Sequence, residues 1–419
     1  MNLAVIGSGI SGLAAAWLLH RRHRVTLLEA APRLGGHTWT VQVEEDGQRY
    51  PLDIGFMVFN HHTYPNLTRL FHLLSLPTHP ADMSLSVTCE SCGLQYNGGS
   101  LRGLGAQPGN LVKPDFWRLL ASIVQFNRLA TAALRDGTLP GEEPLAACLA
   151  RWDLHGGLAR HYLYPMAAAI WSSGTERVTE FPALSLFQFM ANHGLLGVST
   201  HHQWYSVVGG ASTYVDALAA PLGSGVRTGV PVAAVERAPD HVRLHLADGS
   251  REVYDGVVIA THADQALRLL ADPSAEEREL LGPWRYSANR VVLHTDTHLL
   301  PSRPAARAAW NVLQHDCTHP GEEVCVTYLL NRLQEVHTRR LYMVTLNPYT
   351  PVQEGSIVLD ATMHHPLMTA ASLATQPDLP RLNGVRRTWF CGAYHGWGFH
   401  EDGLNSAIRV AAELEVAFP

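Results

Sequence analysis

The chain opens with two short apolar runs separated by a longer, largely apolar stretch. Leu3–Ile6 and Val25–Leu28 have the length of buried parallel strands, and Leu13–His20 between them has the character of a helix. This pattern predicts a strand–helix–strand unit at the start of the chain.

Three glycines stand between the first strand and the helix in the arrangement G-x-G-x-x-G. Gly7 allows a tight turn, Gly9 lets the backbone approach a pyrophosphate, and Gly12 lets helix and strand pack closely. The second strand ends in Glu29, 17 residues after Gly12, where a carboxylate accepts hydrogen bonds from a ribose 2′-hydroxyl and repels a 2′-phosphate. Because the helix N-terminus also offers free N–H groups, the unit predicts a dinucleotide site.

A second glycine pair follows at once in the segment Arg33–Gly36, which reads R-L-G-G. Through Gly36 the chain resembles the flavoprotein superfamily of amine oxidases, phytoene desaturases and protoporphyrinogen oxidases, in which R-x-G-G extends the nucleotide motif. The resemblance implies that the nucleotide is FAD. His37 stands where many amine oxidases carry arginine, so the resemblance does not extend to their substrate chemistry.

Two internal segments resemble further parts of that superfamily. The D-x-G segment at Asp53–Gly55 corresponds to one that passes the flavin ring, and Val232 corresponds to a strand that meets the adenine. The cofactor contacts that the resemblance and the glycine motif imply are Gly7, Gly9, Ser11, Gly12, Glu29, Ala30, Arg33, Gly35, Gly36, His37, Gly55, Phe56, Met57, Val232, Gly392, Gly403 and Leu404.

The tail from Cys391 to Leu404 resembles the C-terminal FAD motif, in which a helix starting at about Gly403 points its positive end at the flavin N1/C2 carbonyl. Its GFHEDGL form is similar to a bacterial subgroup of predicted NAD/FAD-binding proteins. That subgroup is associated with cyclopropane-type fatty-acyl methyltransferases and includes a desaturase of methylated fatty-acyl phospholipids in furan fatty acid synthesis.

The fold class that follows is α/β, with a Rossmann-like FAD-binding domain of the glutathione-reductase/amine-oxidase type and an inserted, mixed α+β substrate domain. We expect the FAD-binding domain to be discontinuous, formed by residues 1–76, 202–272 and 386–419. Residues 77–201 and 273–385 then form the substrate domain. No second G-x-G-x-x-G predicts a separate NAD domain.

Composition narrows the choice of partner and compartment. The chain has 419 residues, a formal net charge of −6 and no basic run, which argues against nucleic acid as a partner. Its six cysteines are scattered and no 18-residue apolar stretch occurs, so a cytoplasmic location is expected. Peripheral contact with the inner face of the membrane is compatible with this picture.

Two patterns resemble metal sites. Cys89 and Cys92 form a C-x-x-C near the tip of a hairpin predicted over Met83–Tyr96, but zinc requires two more ligands and no second C-x-x-C exists. His61, His62 and His79 form a looser group, in which adjacent histidines point in different directions. We interpret both patterns as incidental and predict no metal.

Each of two apolar stretches has two possible interpretations. Phe116–Arg135 predicts an amphipathic helix, which either packs on its domain core or rests on a membrane and guards a lipid entrance. Residues 151–200 are rich in aromatic side chains and methionine, and form either ordinary core or the wall of an apolar substrate chamber.

The resemblance implies hydride transfer at flavin N5, with an apolar, fatty-acyl lipid as substrate. Many amine oxidases hold a lysine near N5 through a water, whereas Lys113 is the only lysine in this chain and lies far from the motifs. Candidates for a catalytic base are Tyr394, His395, His400 and Glu401, on the loop that should cross the flavin. The alternatives are a redox-neutral double-bond isomerase, a non-catalytic flavoprotein and an amine oxidase; the electron acceptor stays open.

Overall fold

The structure, a computed structural model, describes residues 1–154, 156–171, 175–197, 202–318 and 325–419. In chain order the strands are β1 (Asn2–Ile6), β2 (Arg24–Leu28), β3 (Thr40–Glu45), β4 (Gln48–Asp53), β5 (Phe59–Asn60), β6 (Thr78–Ala81), β7 (Leu85–Cys89), β8 (Gln95–Asn97), β9 (Trp204–Val207), β10 (Val226–Arg227), β11 (Val232–Arg237), β12 (Val242–Leu246), β13 (Arg251–Tyr254), β14 (Gly256–Ile259), β15 (Arg285–His294), β16 (Trp310–Gln314), β17 (Cys325–Leu329), β18 (Met343–Leu346), β19 (Ile357–Leu367) and β20 (Thr388–Phe390). The α-helices are α1 (Ile10–Leu19), α2 (Pro65–Leu73), α3 (Leu101–Leu104), α4 (Pro114–Asp136), α5 (Leu145–Arg151), α6 (Tyr164–Trp171), α7 (Thr175–Glu180), α8 (Ala183–Asn192), α9 (Ser212–Ala219), α10 (Ala263–Leu269), α11 (Ala275–Leu281), α12 (Leu330–Leu333), α13 (Ala370–Thr375) and α14 (His400–Glu413).

A five-stranded parallel sheet forms one body, in the order β10–β2–β1–β14–β20. Its central strands β1 and β14 are buried and apolar on both faces, as expected of parallel strands covered by helices. Helices α1 and α14 pack against each other, so the two ends of the chain meet on this sheet. The predicted strand–helix–strand unit and the Rossmann-like fold are confirmed.

A seven-stranded sheet forms the second body, in the order β19–β15–β18–β17–β16–β7–β8. Its pairs are antiparallel except for β16 with β7, which run in parallel. All of its strands come from the stretches that the sequence assigns to a substrate domain. The small sheet β5–β9–β6 lies across the expected boundary after residue 76, because β6 pairs with β9.

The sequence pattern and the structure differ over residues 226–236. The alternating pattern at Val226–Glu236 indicates a single strand, but the structure breaks it at Gly229, whose φ of +67° turns the chain. β10 joins the parallel sheet, whereas β11 joins β12 and β13 in a separate antiparallel sheet. A period of two specifies an extended chain but cannot show where that chain changes sheets.

The amphipathic helix predicted at Phe116–Arg135 is confirmed as α4, which ends at the left-handed Gly137. Much of the aromatic-rich stretch after it is ordinary core. Trp152 stacks on Phe187 with ring centres 5.5 Å apart, and Phe187 meets Phe126 of α4 edge-on at 5.2 Å. The parts of this stretch at 155, 172–174 and 198–201 lie outside the described residues.

Some apolar side chains around the start of α4 face solvent. Val112 is 82% exposed and Trp117 is 54% exposed, and the Trp117 indole N–H donates to the Leu111 carbonyl at 2.9 Å. Within the described ranges, none of the helices combines the length and the apolar character needed to cross a bilayer.

Candidate active site

The carboxyl ends of β1, β14 and β20 and the N-terminus of α1 meet at one edge of the parallel sheet. Gly7 has a φ of +98°, and a Cβ there would lie 2.8 Å from the Ala260 carbonyl oxygen. A Cβ on Gly12 would lie 1.8 Å from the Gly7 carbonyl oxygen, so the turn and the close packing of α1 both require glycine. A Cβ on Gly9 would meet nothing within 4 Å. Gly9 therefore lines an open cradle in front of the helix N-terminus, where a phosphate group fits.

Glu29 is fixed at the end of β2. Its Oε2 accepts hydrogen bonds from the Ser8 N–H at 2.8 Å and the Ser8 hydroxyl at 2.6 Å, and its Oε1 accepts from the Ala31 N–H at 2.8 Å. The Val230 N–H donates to the Glu29 carbonyl, and β11 begins at Val232 just beyond. Glu29, the exposed Ala30 and Val232 thus occupy the end of the edge where a ribose and an adenine are predicted.

The second glycine pair packs against the first. Gly36 has a φ of +58°, and a Cβ on it would lie 3.1 Å from the Gly9 Cα; Gly35 donates its N–H to the Ser8 carbonyl. The Arg33 guanidinium lies 4.1 Å above the Trp39 ring and donates to carbonyls of its own loop. Burial lowers the pKa of Arg33, and the nearby Glu29 opposes that shift. Arg33 therefore stiffens the loop that borders the cradle.

Gly55 packs against the loop that carries His37, and its contact with the flavin stays a prediction. A Cβ on Gly55 would lie 1.9 Å from the His37 carbonyl oxygen, so this glycine is required by the neighbouring loop and not by a flavin alone. Phe56 donates its N–H to the same carbonyl, and its ring stacks on His400 with centres 3.7 Å apart. Met57 is buried beside them.

The C-terminal segment packs against α1 at this edge of the parallel sheet. Helix α14 begins at His400, three residues before the predicted start at Gly403. A Cβ on Gly403 would lie 2.7 Å from the Ser11 hydroxyl, Leu404 is fully buried, and the Gly392 N–H donates to the Ser406 hydroxyl at 2.9 Å. The structure gives Ser11, Gly403 and Leu404 a role in packing α14 on α1, while their direct contact with the cofactor stays a prediction.

Glu401 is held by another helix. Its two carboxylate oxygens accept hydrogen bonds from the backbone N–H groups of Asn66 at 3.1 Å and Leu67 at 2.9 Å, in the first turn of α2. Burial raises the pKa of Glu401, and these hydrogen bonds oppose the rise. The geometry favours a positioning role for Glu401 over the role of base that the sequence suggested.

His400 is also engaged. Its Nε2 lies 3.0 Å from both the Thr38 hydroxyl and the Tyr214 hydroxyl, and burial lowers its pKa to about 3. The side chain joins the start of α14 to the loop after Gly36.

Tyr394 and His395 differ from these two because their polar atoms lack partners. Within the described part of the chain, the Tyr394 hydroxyl and both ring nitrogens of His395 are buried and make no hydrogen bond. Burial lowers the pKa of His395 to about 3, so its imidazole is neutral at pH 7. Of the four candidates, His395 is the histidine whose ring nitrogens make no hydrogen bond within the described residues, and the burial that keeps the ring neutral also opposes its protonation.

A group of histidines surrounds His37, and sequence reasoning did not bring these residues together. The His37 ring lies 5.3 Å from His365 and 5.9 Å from His262, and Asn289 donates to His365 Nδ1 at 2.9 Å. Burial lowers the pKa of His262 to about 4 and that of His365 to about 3, which keeps both rings neutral. One signal was present: His262 lies three residues after the end of β14, and ligands of parallel sheets bind beyond such strand ends.

The residues at this edge fit FAD. Buried polar atoms are normally hydrogen-bonded. Among the described residues His37 Nε2 joins the Tyr394 and His395 atoms in lacking a partner, which points to a ligand with polar atoms of its own. The open cradle at Gly9 would take the pyrophosphate, Glu29 the ribose and the start of α14 the flavin. Lys113, the only lysine, is exposed just before α4.

Comparison with known proteins agrees with this geometry. The family model for flavin containing amine oxidoreductases matches residues 10–328. The chain is 41% identical to the carotenoid phi-ring synthase of Chlorobaculum tepidum over 68 residues, which are 16% of this chain and 10% of that protein. It is 25% identical to the flavin-containing amine oxidase A of Bos taurus over 268 residues, or 61% of this chain and 48% of that one. The chain thus spans between a tenth and a half of the length of these relatives.

Solved structures share the whole fold. Cyclohexylamine oxidase from Brevibacterium oxydans IH-35A superposes with a TM-score of 0.69 at 18% identity, covering 99% of both chains. A CLA-producing fatty acid isomerase from P. acnes superposes with a TM-score of 0.68 at 15% identity, again over 99% of both chains. At these identities the likeness concerns the fold alone. The family model, by contrast, matches more than half of the chain, over residues 10–328. The chain therefore belongs to the family of flavin-containing amine oxidoreductases, and its cofactor is FAD.

Proposed function

We propose that the chain is an FAD-dependent oxidoreductase that removes two hydrogens from an apolar, fatty-acyl lipid. The observation that carries this proposal is the buried imidazole of His395 on the loop before α14, whose ring nitrogens have no hydrogen-bond partner among the described residues. FAD would accept the hydride at N5. His395 accepts the proton from the adjacent carbon, and the electron pair left behind becomes the new carbon–carbon double bond.

A cavity beside the same loop supports a substrate site there. It has a volume of about 370 Å³ and lies between α8 and the start of α14. Trp397, Phe399 and His193 form aromatic walls, and Asn192, Glu401, Asp402 and Asn405 line the cavity with polar side chains. The Glu401 carboxylate is bonded to the first turn of α2. Phe189 of α8 stacks on Phe399 with ring centres 5.4 Å apart, so part of the aromatic-rich stretch does reach this wall.

The lipid assignment is supported by the resemblance of the GFHEDGL tail to proteins that act on methylated fatty-acyl phospholipids, and by the position of Lys113. An exposed lysine ahead of α4 does not supply the amine-oxidase arrangement of a lysine near N5. The second candidate is a redox-neutral double-bond isomerase, favoured by the fatty acid isomerase that shares the fold.

The test is anaerobic incubation of the purified holoprotein with fatty-acyl phospholipids, followed by flavin absorbance and product mass. We expect the flavin to bleach and the acyl chain to lose two hydrogens. An unchanged mass with a moved double bond would establish the isomerase instead. Rapid bleaching by simple amines, with none by lipids, would overturn the lipid assignment.

We also propose that the apolar surface formed by Leu111, Val112 and Trp117 rests on the membrane that holds the lipid. Lys113 beside it carries positive charge, which favours anionic headgroups, whereas Arg118 is paired with Asp115 at 2.8 Å.

The double substitution Val112→Ser with Trp117→Ser is expected to weaken binding to anionic vesicles by at least about tenfold, since burying one large apolar side chain contributes roughly 1.5–3 kcal/mol. Cosedimentation with vesicles measures it. Val253→Ser is the matched control, because Val253 is as exposed as Trp117 (54%) and lies on β13, in the separate three-stranded sheet. An equal loss of vesicle binding in both variants, or no loss in either, would show that the surface formed by Leu111, Val112 and Trp117 does not bind the membrane.

A further inference from the structure

Three cysteines and one histidine from three separate segments meet at one end of the seven-stranded sheet. Cys89 ends β7, Cys92 lies in the turn to β8, and Cys317 follows β16. His161 lies on a single π-helical turn, Ala159–Leu163. Their four potential ligand atoms all lie within 4.8 Å of one another, and Cys92 Sγ is 4.0 Å from His161 Nε2.

These distances suit a tetrahedral metal ion. Zinc binds cysteine sulfur at about 2.3 Å and histidine nitrogen at about 2.0–2.1 Å, so ligands on a tetrahedron lie about 3.5–3.8 Å apart. The cluster thus needs a contraction of at most about 1 Å. Three thiolates with one imidazole form a ligand set that zinc uses in structural sites. The π-helical turn is a second indication, because such turns occur frequently at functional sites.

The backbone holds the cluster in place without a metal. At the hairpin tip the Gly93 N–H donates to the Cys89 carbonyl at 3.0 Å, and the φ of +71° at Gly93 returns the chain to β8. The neighbouring segment is tied on by hydrogen bonds from the Ser91 N–H to the His315 carbonyl at 3.1 Å and from the Cys317 N–H to the Ser91 hydroxyl at 3.3 Å.

The histidine is anchored from the same hairpin. The Tyr96 hydroxyl of β8 donates to the His161 carbonyl at 2.7 Å. Among the described residues, His161 Nδ1 is buried and has no hydrogen-bond partner, so the ring is held by its backbone while Nε2 faces the thiols.

We propose that Cys89, Cys92, His161 and Cys317 bind one structural Zn²⁺ ion. All four positions are protein ligands, which leaves none for a substrate or water, and the site lies on the sheet that does not carry the FAD cradle. The ion joins the β7–β8 hairpin to the Ala159–Leu163 turn and to the segment after β16. A disulfide would use two of the sulfurs and leave the third sulfur and the imidazole without a role. The C-x-x-C that the sequence presented as incomplete thus gains its two further ligands from distant parts of the chain.

The experiment measures zinc in the full-length holoprotein produced in zinc-supplemented medium, by elemental mass spectrometry. We expect about one zinc per chain in the wild type and at least about tenfold less in Cys92→Ser, because three ligands hold zinc far more weakly than four. Cys92 is exposed, so its replacement spares the core, and unchanged FAD content verifies the fold. Cys148→Ser is the matched control: it removes a buried thiol of α5 outside the cluster and should keep its zinc.

A second measurement replaces zinc with Co²⁺, which gives intense thiolate charge-transfer and tetrahedral ligand-field absorption. These bands should appear in the wild type and in Cys148→Ser and be absent in Cys92→Ser. A wild-type protein without zinc and without cobalt bands would overturn the proposal. Equal zinc in the wild type and Cys92→Ser, or a disulfide between cysteines of the cluster in the intact mass, would also overturn it.

Discussion

Replacing Gly9 with valine should give a folded protein that no longer retains FAD. Gly9 has φ −64° and ψ 179°, which valine adopts without strain, and a Cβ at this position meets no atom within 4 Å. The new side chain therefore fills the cradle in front of α1 without displacing protein atoms. Because a pyrophosphate must approach this backbone closely, we expect FAD affinity to fall at least about 100-fold, or roughly 2.7 kcal/mol. Flavin fluorescence released on denaturation, per mole of purified chain, measures the loss.

Two companion variants separate cofactor loss from misfolding. Gly12→Ala places a Cβ 1.8 Å from the Gly7 carbonyl oxygen, so it should lower the melting temperature as well as the flavin content. Gly141 is exposed and has open space around it, so Gly141→Val should change neither the melting temperature nor the flavin content. If Gly9→Val keeps its flavin, the cradle is not where the pyrophosphate binds.

Replacing His395 with alanine should slow lipid oxidation by about 10²–10⁴-fold while FAD stays bound, which is the range that general-base catalysis contributes. Burial lowers the pKa of His395 to about 3. The imidazole is consequently unprotonated from neutral pH down to well below 6.5, the usual histidine value, and the wild-type rate should not fall until the pH drops under that value. Single-turnover bleaching of the flavin at several pH values measures both effects.

Glu401→Gln is the matched control for His395→Ala, since both residues lie in the same segment and both side chains are largely buried. The Glu401 carboxylate accepts from two backbone N–H groups of α2, so its replacement should lower thermal stability and leave the bleaching rate within about threefold. Wild-type bleaching in His395→Ala would exclude this histidine as the base, and a large rate loss in Glu401→Gln would restore the carboxylate to that role.

The parallel sheet was predictable because its signals are local. A buried strand, three glycines and a terminal acid lie within the first 29 residues, and each glycine has a separate steric reason that the structure reproduces at Gly7 and Gly12. The tail motif carries its own glycines, which is why the meeting of α14 with α1 could be expected from the sequence.

Contacts between distant segments were not predictable. The sequence does not show that the Gly55 position also faces the His37 carbonyl oxygen, which requires a glycine there. Nor does it show that the Glu401 carboxylate accepts hydrogen bonds from the first turn of α2. The partners of Cys89 are far away in the chain, and no spacing rule joins them. In each case the contacting residue lies elsewhere in the chain and is placed by the tertiary fold. A hydrophobic period of two or 3.6 residues predicts strands and helices but not which of them come into contact.

The most direct test of the account is the flavin content of the purified wild-type chain, measured by absorbance and by the mass of the released cofactor. We expect a yellow protein that carries about one FAD per chain and takes up FAD again after it has been removed. A folded protein that is colourless, and that remains so after incubation with FAD and gel filtration, would contradict it.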